Sequence, residues 1–481
     1  MKENKLSELL RGLSANEFKK FGDFVRSPFH NKSQKIILLY DHLKSFSADF
    51  SKYEITHEDI SKLIYSDKQK SESKVRSLIS DFVRLIEKFL TLNQYSKNTA
   101  AQQVHLLTAL NERDLSKSFR STLKETMGSQ EKQFNRDEDF YYNRIFLELE
   151  SFNYGLQRNT GIDEQGFNKI SDNIDLFFIL TKLNLLHFMS YHQQNFADRY
   201  SYNIWQVNEV IKYIESKLNR IRKEHPIIYM KYLILMTIIK PEKENYFKDL
   251  KKFVLTNHEK LSSEVMDYIF GALTNYCMTK CNSGVKRYRI ERFRVYKIME
   301  EMSLFETDKY INYVDFMNAI ISSLDVNRSG WAEKFFDKHR TRILPELAED
   351  TLNLAKTQIL YHKKKYEEAI KHLNNVSYSN YIFYLRSKML LSRIYYDKKD
   401  TEPIIYIIDA ARHYLKRNKQ ISRANYESFS KFFNYLNKLI NLESSQKFHI
   451  KKMEDELMRE KSISSKDWFL EKLKDLESAE K

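Results

Sequence analysis

The chain has 481 residues, a formal net charge of +15 and a hydrophobic fraction of 42%, which is ample apolar material for a folded core. Its nine glycines and five prolines are too few for a sheet protein with many tight turns or for a glycine-rich phosphate loop. The two cysteines are too few for a disulfide-stapled secreted domain. We therefore predict an all-α fold.

Residues 1–95 are predicted to form an N-terminal helical domain. Ser14 and Glu17 have the spacing of a capping box at a helix start, and Pro28 ends that helix because the residue before proline disfavours the α conformation. The longest helix carries an apolar stripe from Val75 to Leu90. This order of helices is compatible with a helix-turn-helix DNA reader. However, the exposed face of the last helix mixes charges, which favours a helical docking domain.

The remainder is predicted to contain a connecting helical hairpin over residues 96–130, a helical-repeat solenoid over residues 131–440, and a C-terminal capping helix with a charged tail over residues 441–481. Gly128 is expected to mark the end of the hairpin. The stretch QRNTGIDEQG, residues 157–166, is expected to be a loop.

Neither the N-terminal segment nor the most apolar stretch of the sequence indicates a membrane protein. The N-terminal segment MKENKLSELLRGLS has charges where a signal peptide needs an apolar core. The most apolar stretch, Ile227–Ile239, is interrupted by Lys231 and is too short to cross ~30 Å of hydrocarbon. We expect a cytoplasmic protein with no membrane insertion.

A repeated pattern of helical hairpins appears in the C-terminal half. A small residue, Ala332 or Ala369, lies near the start of the second helix in two of the hairpins, and Ile404 replaces it in the third. The separations of 37 and 35 residues are close to the ~34-residue period of stacked helical pairs. The predicted packing residues are Ala332, Tyr366, Ala369, Leu373, Tyr395 and Ile404.

The segment LAKTQILYHKKKYEEAIKHLNNV, residues 354–376, resembles a tetratricopeptide repeat. Thr357 and Lys364 stand where that family has glycines, as do Ser392 and Lys399 in the next copy. The resemblance implies a superhelix of antiparallel hairpins with an extended binding groove. The whole chain is also similar to a group of bacterial proteins that join a short N-terminal helical domain to such repeats, and this resemblance implies no activity.

No motif in the sequence indicates catalysis. No Walker-type loop, G-x-S-x-G elbow or H-E-x-x-H pair occurs. Cys277 and Cys281 lie one helical turn apart without further ligands nearby, so we interpret them as structural thiols. We expect a protein that is not an enzyme and that needs no cofactor or metal.

Clusters of cations provide the candidate binding surface for an acidic partner. Its residues are Lys286, Arg287, Arg294, Lys297, Lys364, Lys365, Arg412 and Lys416. If successive repeats point them in one direction, they form a stripe that can follow phosphates. Alternatively, they are unrelated solvated turns.

Two functions are compatible with these patterns. The first is a non-enzymatic scaffold that binds a protein or peptide along the repeat groove, and the second is a nucleic-acid-binding regulator that uses the basic helices and the N-terminal domain. The sequence favours the scaffold and does not determine the oligomeric state.

Overall fold

The structure, a computed structural model, describes residues 5–45, 57–64, 72–158, 164–196, 207–377, 380–419, 421, 423–460 and 463–478. This part of the chain is all-α, as predicted, and contains no strand. Ile311 and Ile343 form an isolated parallel bridge.

The α-helices are, in chain order, α1 Lys5–Arg11, α2 Ala15–Arg26, α3 Gln34–Lys44, α4 His57–Ile64, α5 Glu72–Lys97, α6 Thr99–Glu112, α7 Ser116–Glu131, α8 Glu138–Gln157, α9 Glu164–Phe196, α10 Val207–Ser216, α11 Leu218–Glu224, α12 Pro226–Ile239, α13 Glu244–Asn257, α14 Ser263–Asn282, α15 Arg287–Glu301, α16 Tyr313–Leu324, α17 Ser329–His339, α18 Pro345–His362, α19 Tyr366–Asn374, α20 Tyr381–Asp397, α21 Glu402–Arg417, α22 Arg423–Ile440, α23 Lys447–Arg459 and α24 Lys466–Ser478. Short 3₁₀ helices occupy His258–Lys260, Leu304–Glu306 and Arg340–Arg342.

The chain divides into two compact units. The first comprises Met1–Lys132 and Asp139–Ile174, and the second comprises Gln133–Glu138 and Asp175–Lys481. This division differs from the predicted domain bounds, because most of α8 and the start of α9 belong to the first unit.

The first unit has its own apolar core, to which α1, α2, α3 and α5 contribute. Ser14 and Glu17 form the expected capping box: the Ser14 hydroxyl accepts from the Glu17 amide at 3.2 Å, and Glu17 accepts from the Ser14 amide at 2.9 Å. On α5, Arg76 pairs with Glu72 at 2.5 Å on the exposed face. The exposed face of α5 therefore carries both charge signs, and Glu72 neutralises the charge of Arg76.

The helix does not break at Gly128, where a joint was predicted. Gly128 is inside α7, which continues to Glu131. One glycine in the last turn of a helix costs only about 1 kcal/mol, so it did not end the helix. The loop predicted for residues 157–166 agrees only in part with the break between α8 and α9, because Gln157 ends α8 and residues 164–166 begin α9. Residues 159–163 lie outside the described ranges.

The second unit consists of successive helix pairs. The pairs are α12 with α13, α14 with α15, α16 with α17, α18 with α19, and α20 with α21, and the first helices α16, α18, α20 and α22 also pack against one another in sequence. The apolar helix α12 is buried over most of its length. Within the described ranges, no helix combines the length and hydropathy that crossing a membrane requires.

Each of four turns between paired helices contains one residue with a left-handed backbone. These residues are Gly284, Asn327, Lys364 and Lys399, with φ of 85°, 57°, 58° and 62°. The amide that follows each of them closes the turn on the carbonyl five residues earlier, as when Lys365 N–H donates to Leu360 O at 2.9 Å. Lys364 and Lys399 thus adopt the conformation that glycine favours.

The last helices cover the end of the second unit. Trp468, Phe469 and Leu473 of α24 are buried in a core shared with α20, α21, α22 and α23. Burial of an aromatic side chain contributes about 1.5–3 kcal/mol, so α24 is an integral wall of this unit.

Candidate functional site

A pocket of about 490 Å³ in the second unit is lined by four arginines, Arg289, Arg292, Arg386 and Arg393. We call it the arginine pocket. Its walls come from α14, α15, α16, α18, α20, α22 and the start of α24. The first helices of four successive pairs thus contribute to one concavity.

Arg289 and Arg292 project from α15 and are each neutralised by a carboxylate. Arg292 Nη2 donates to Asp325 Oδ2 at 2.5 Å, and Arg289 pairs with Asp467 at the start of α24. Arg292 is buried, and its Nε lacks a hydrogen-bond partner in the described part of the chain. This Nε is enclosed by protein, and Nη1 of the same group contacts Met278 Sδ at 3.2 Å.

Arg386 of α20 has no carboxylate partner within the described ranges, and Tyr313 is the neighbouring group that favours its charged form. Protein surrounds its guanidinium on most sides, and this burial lowers the pKa of Arg386. A cation held in such surroundings without a counter-ion is unfavourable. It marks a place where an anion would be stabilised.

Arg393 lies about two turns further along α20 and is held by aromatic faces. Its guanidinium carbon is 4.7 Å from the Tyr361 ring centroid and 5.6 Å from that of Trp468. Trp468 Nε1 donates to the Tyr361 hydroxyl at 3.1 Å, and that hydroxyl donates to Asp397 at 2.6 Å. The rings fix the position of the charge without neutralising it.

The pocket is positive overall. Its five cations are the four arginines and Lys466, and its two carboxylates are Asp325 and Asp467. Lys466 Nζ donates to the carbonyls of Met458 and Glu460 at 3.2 and 3.1 Å, and the carboxylates of Asp467 and Glu460 also favour its charged form. Among the lining residues, the cations exceed the carboxylates by three positive charges.

The predicted cations on α15 lie outside the arginine pocket. Arg287 pairs with Glu244, Arg294 with Glu291 at 3.3 Å, and Lys297 with Glu301 at 3.3 Å. They and Lys286 line two open surface grooves of about 640 and 780 Å³ on the sides of α15. The structure brings these four together, with most of their charge neutralised locally.

The other predicted cations are dispersed over two further places. Lys364 and Lys365 are exposed at the turn between α18 and α19, where Lys365 pairs with Glu368 at 3.0 Å. Arg412 and Lys416 are exposed on α21, and Arg412 donates to Asn434 at 2.9 Å.

The predicted packing residues lie at the junctions of the helix pairs. Ala332, Ala369 and Ile404 are fully buried, each five residues after a left-handed turn residue, and Leu373 is also buried. Tyr366 and Tyr395 are partly buried.

One cluster has the composition of a metal site: Glu300, Glu306 and His339 offer ligand atoms within 4.8 Å of one another. Lys338 Nζ already pairs with both carboxylates at 2.7 and 2.6 Å, and Glu300 also contacts His339 Nε2 at 2.8 Å. A lysine thus supplies the positive charge in this cluster.

The two cysteines differ in their surroundings. Cys277 is buried on α14, and burial raises the pKa of its thiol. Cys281 is partly buried and lines the arginine pocket.

The four pocket arginines were not among the predicted site residues, although a signal for them exists. Arg386 and Arg393 are seven residues apart on α20, on the face that also carries Met389 and Leu390. A cation that interrupts an apolar stripe at helical spacing lies on the packed side of its helix. The predictions instead followed runs of consecutive cations, which lie on solvated turns.

Fold and site together define an all-α protein of stacked helix pairs with a cationic pocket in its second unit. Comparisons of the chain with protein-family models, curated proteins and solved structures gave no match.

Proposed function

We propose that the protein is a non-enzymatic scaffold with tetratricopeptide-like helix pairs, and that its second unit binds an acidic segment of a partner protein in the arginine pocket. The observation that carries this proposal is the excess of three positive charges in the pocket, one of them on Arg386, which has no carboxylate partner in the described ranges. Structural ion pairs would have neutralised these charges.

The paired state of the surface cations supports the pocket over a phosphate-tracking stripe. Of the predicted surface cations Lys286, Arg287, Arg294 and Lys297, the last three have a carboxylate partner. Exposed pairs of this kind contribute little to the attraction of a distant anion, because salt and the adjacent carboxylate both screen them.

The test measures the binding of a fluorescein-labelled decapeptide of alternating Glu and Gly to the full chain by fluorescence anisotropy. A Lys-Gly decapeptide and a single-stranded oligonucleotide serve as the other arms. We expect the acidic peptide to bind, to weaken as salt is raised, and to lose at least about tenfold in affinity, about 1.4 kcal/mol, in the double variant Arg386→Gln, Arg393→Gln.

The matched control is the double variant Arg412→Gln, Lys416→Gln, which removes two exposed cations of α21. It should change the affinity less than about twofold, or about 0.4 kcal/mol. Loss of binding in this control with full binding in the pocket variant would overturn the proposal. Binding of the oligonucleotide without binding of the acidic peptide would favour the nucleic-acid alternative.

A further inference from the structure

We propose that the arginine pocket is built for a phosphate group carrying two negative charges, and that it prefers this group to a single carboxylate. This inference rests on the proposed function, because it concerns the same pocket and names the anionic group that enters it.

The first reason is charge. Asp325 and Asp467 already compensate Arg292 and Arg289, and three cations remain, Arg386, Arg393 and Lys466. One carboxylate would compensate one of them. A phosphate monoester, with a charge of about −1.5 to −2 at pH 7, compensates nearly two.

The second reason is the chemistry of the lining cations. Arg386 lines the pocket without a carboxylate partner within the described ranges, and Arg289, Arg292 and Arg393 line it as well. Guanidinium groups bind phosphate oxygens through paired N–H donors. A tetrahedral group with three terminal oxygens can accept from several arginines at once, whereas a carboxylate has only two oxygens.

The third reason is space. The pocket of about 490 Å³ is in the range of small-molecule sites, about 300–1,000 Å³, and so exceeds what one phosphate fills. Asn318, Gln358 and Ser465 also line it and can hydrogen-bond the group that carries the phosphate. That group is either a phosphorylated side chain of the partner or a small phosphate compound.

The experiment is displacement of the labelled acidic peptide from the full chain by inorganic phosphate, sulfate or acetate at constant ionic strength. We expect phosphate and sulfate to displace it at a concentration at least about tenfold lower than acetate, which corresponds to about 1.4 kcal/mol. On lowering the pH from 7.5 to 5.5, phosphate should lose potency relative to sulfate, because inorganic phosphate takes up a proton and loses its second negative charge over this range. Sulfate stays dianionic and controls for titration of the protein.

Two variants locate the effect. Arg386→Gln should abolish the preference for phosphate over acetate, and Arg386→Lys, which keeps the charge and loses the paired donors, should reduce it several-fold. Equal displacement by phosphate and acetate would overturn the inference while peptide binding, and with it the proposed function, still stands. A phosphate preference that survives in both variants would also overturn it.

Two further arms distinguish the source of the phosphate. A phosphoserine decapeptide that binds at least about tenfold tighter than free phosphoserine indicates a phosphorylated partner. Equal affinities indicate a small phosphate compound. If calorimetry detects phosphate binding to the chain but no labelled peptide binds, the inference stands for a small compound and the proposed function fails.

Discussion

Replacement of Arg386 by methionine is expected to stabilise the second unit while it weakens ligand binding. Methionine keeps most of the length and the apolar stem of arginine but removes the charge. Partial loss of hydration of a cation without a counter-ion costs free energy, and the cost of about 1–3 kcal/mol for a buried unpaired polar group gives the scale. Arg386 is only partly buried, so water reaches it through the pocket and screens the charge. We therefore expect a gain near the lower end of this range, about 1 kcal/mol.

Arg393→Met provides the matched comparison, because the same substitution is made seven residues away on the same helix. Arg393 contacts the faces of Tyr361 and Trp468, and loss of these cation–π contacts costs about 0.5–2 kcal/mol. Arg393→Met also removes a buried Nε without a hydrogen bond, which offsets part of this cost. Arg393→Met should therefore be less stable than Arg386→Met, and both should weaken binding of the acidic peptide.

Urea unfolding followed by tryptophan fluorescence measures this difference. The tryptophans of the chain, Trp205, Trp331 and Trp468, all fall within the sequence range of the second unit, so the signal reports that unit. Because Trp468 lies beside Arg393, circular dichroism should be recorded in parallel. A loss of more than about 1 kcal/mol in Arg386→Met would show that Arg386 is a structural residue, and the reasoning about an uncompensated charge would be refuted.

Three more predictions concern the second unit. Burial lowers the pKa of Lys231 to about 8, so the charged lysine destabilises the folded state below that pH. This destabilisation is relieved as the pH rises from 8 toward 10.5, the ordinary pKa of lysine. Lys231→Met should therefore stabilise the protein by about 1–3 kcal/mol at pH 7, and a gain that does not shrink between pH 8 and 10.5 in urea titrations would contradict this. Lys399→Gly should stabilise by about 1 kcal/mol because φ is 62°, while Lys399→Ala, which removes the side chain without freeing the backbone, should gain nothing in the same thermal unfolding assay. Ala369→Leu should destabilise by about 1–3 kcal/mol because Ala369 is fully buried, whereas Lys371→Leu on the exposed side of α19 should be nearly neutral in urea unfolding.

The fold class could be predicted because it depends on local signals. The scarcity of glycine, the capping box at Ser14 and the apolar stripe of α5 are all written in neighbouring residues. The prediction of a joint at Gly128 is wrong because it rests on one residue, and the helical preference of the surrounding residues outweighs that local turn signal.

The left-handed turns at Lys364 and Lys399 show a limit of pattern reading. These positions lack the expected glycine, yet the backbone adopts the conformation that glycine favours. Packing of the two helices fixes the turn and outweighs a penalty of about 1–2 kcal/mol. Tertiary context therefore determines this geometry.

The arginine pocket could not be assembled from the sequence. Arg289 and Arg393 are brought into one cavity by the stacking of helix pairs, and Asp467 reaches them from the far end of the chain. Nothing in the spacing of these residues specifies that they converge, because the convergence depends on how many pairs stack and at what angles.

The distribution of the pocket walls has a mechanical consequence. Its residues come from α14 through α24, so one anion would add a shared contact to segments that are distant in the array. Such arrays normally fray from their ends, each step giving up a single interface, and here α24 already contacts α15 through Arg289 and Asp467 and α18 through Tyr361 and Trp468. An occupied pocket would make the terminal helices and the middle of the array open as one block, and slow amide hydrogen exchange would then extend across all of them together.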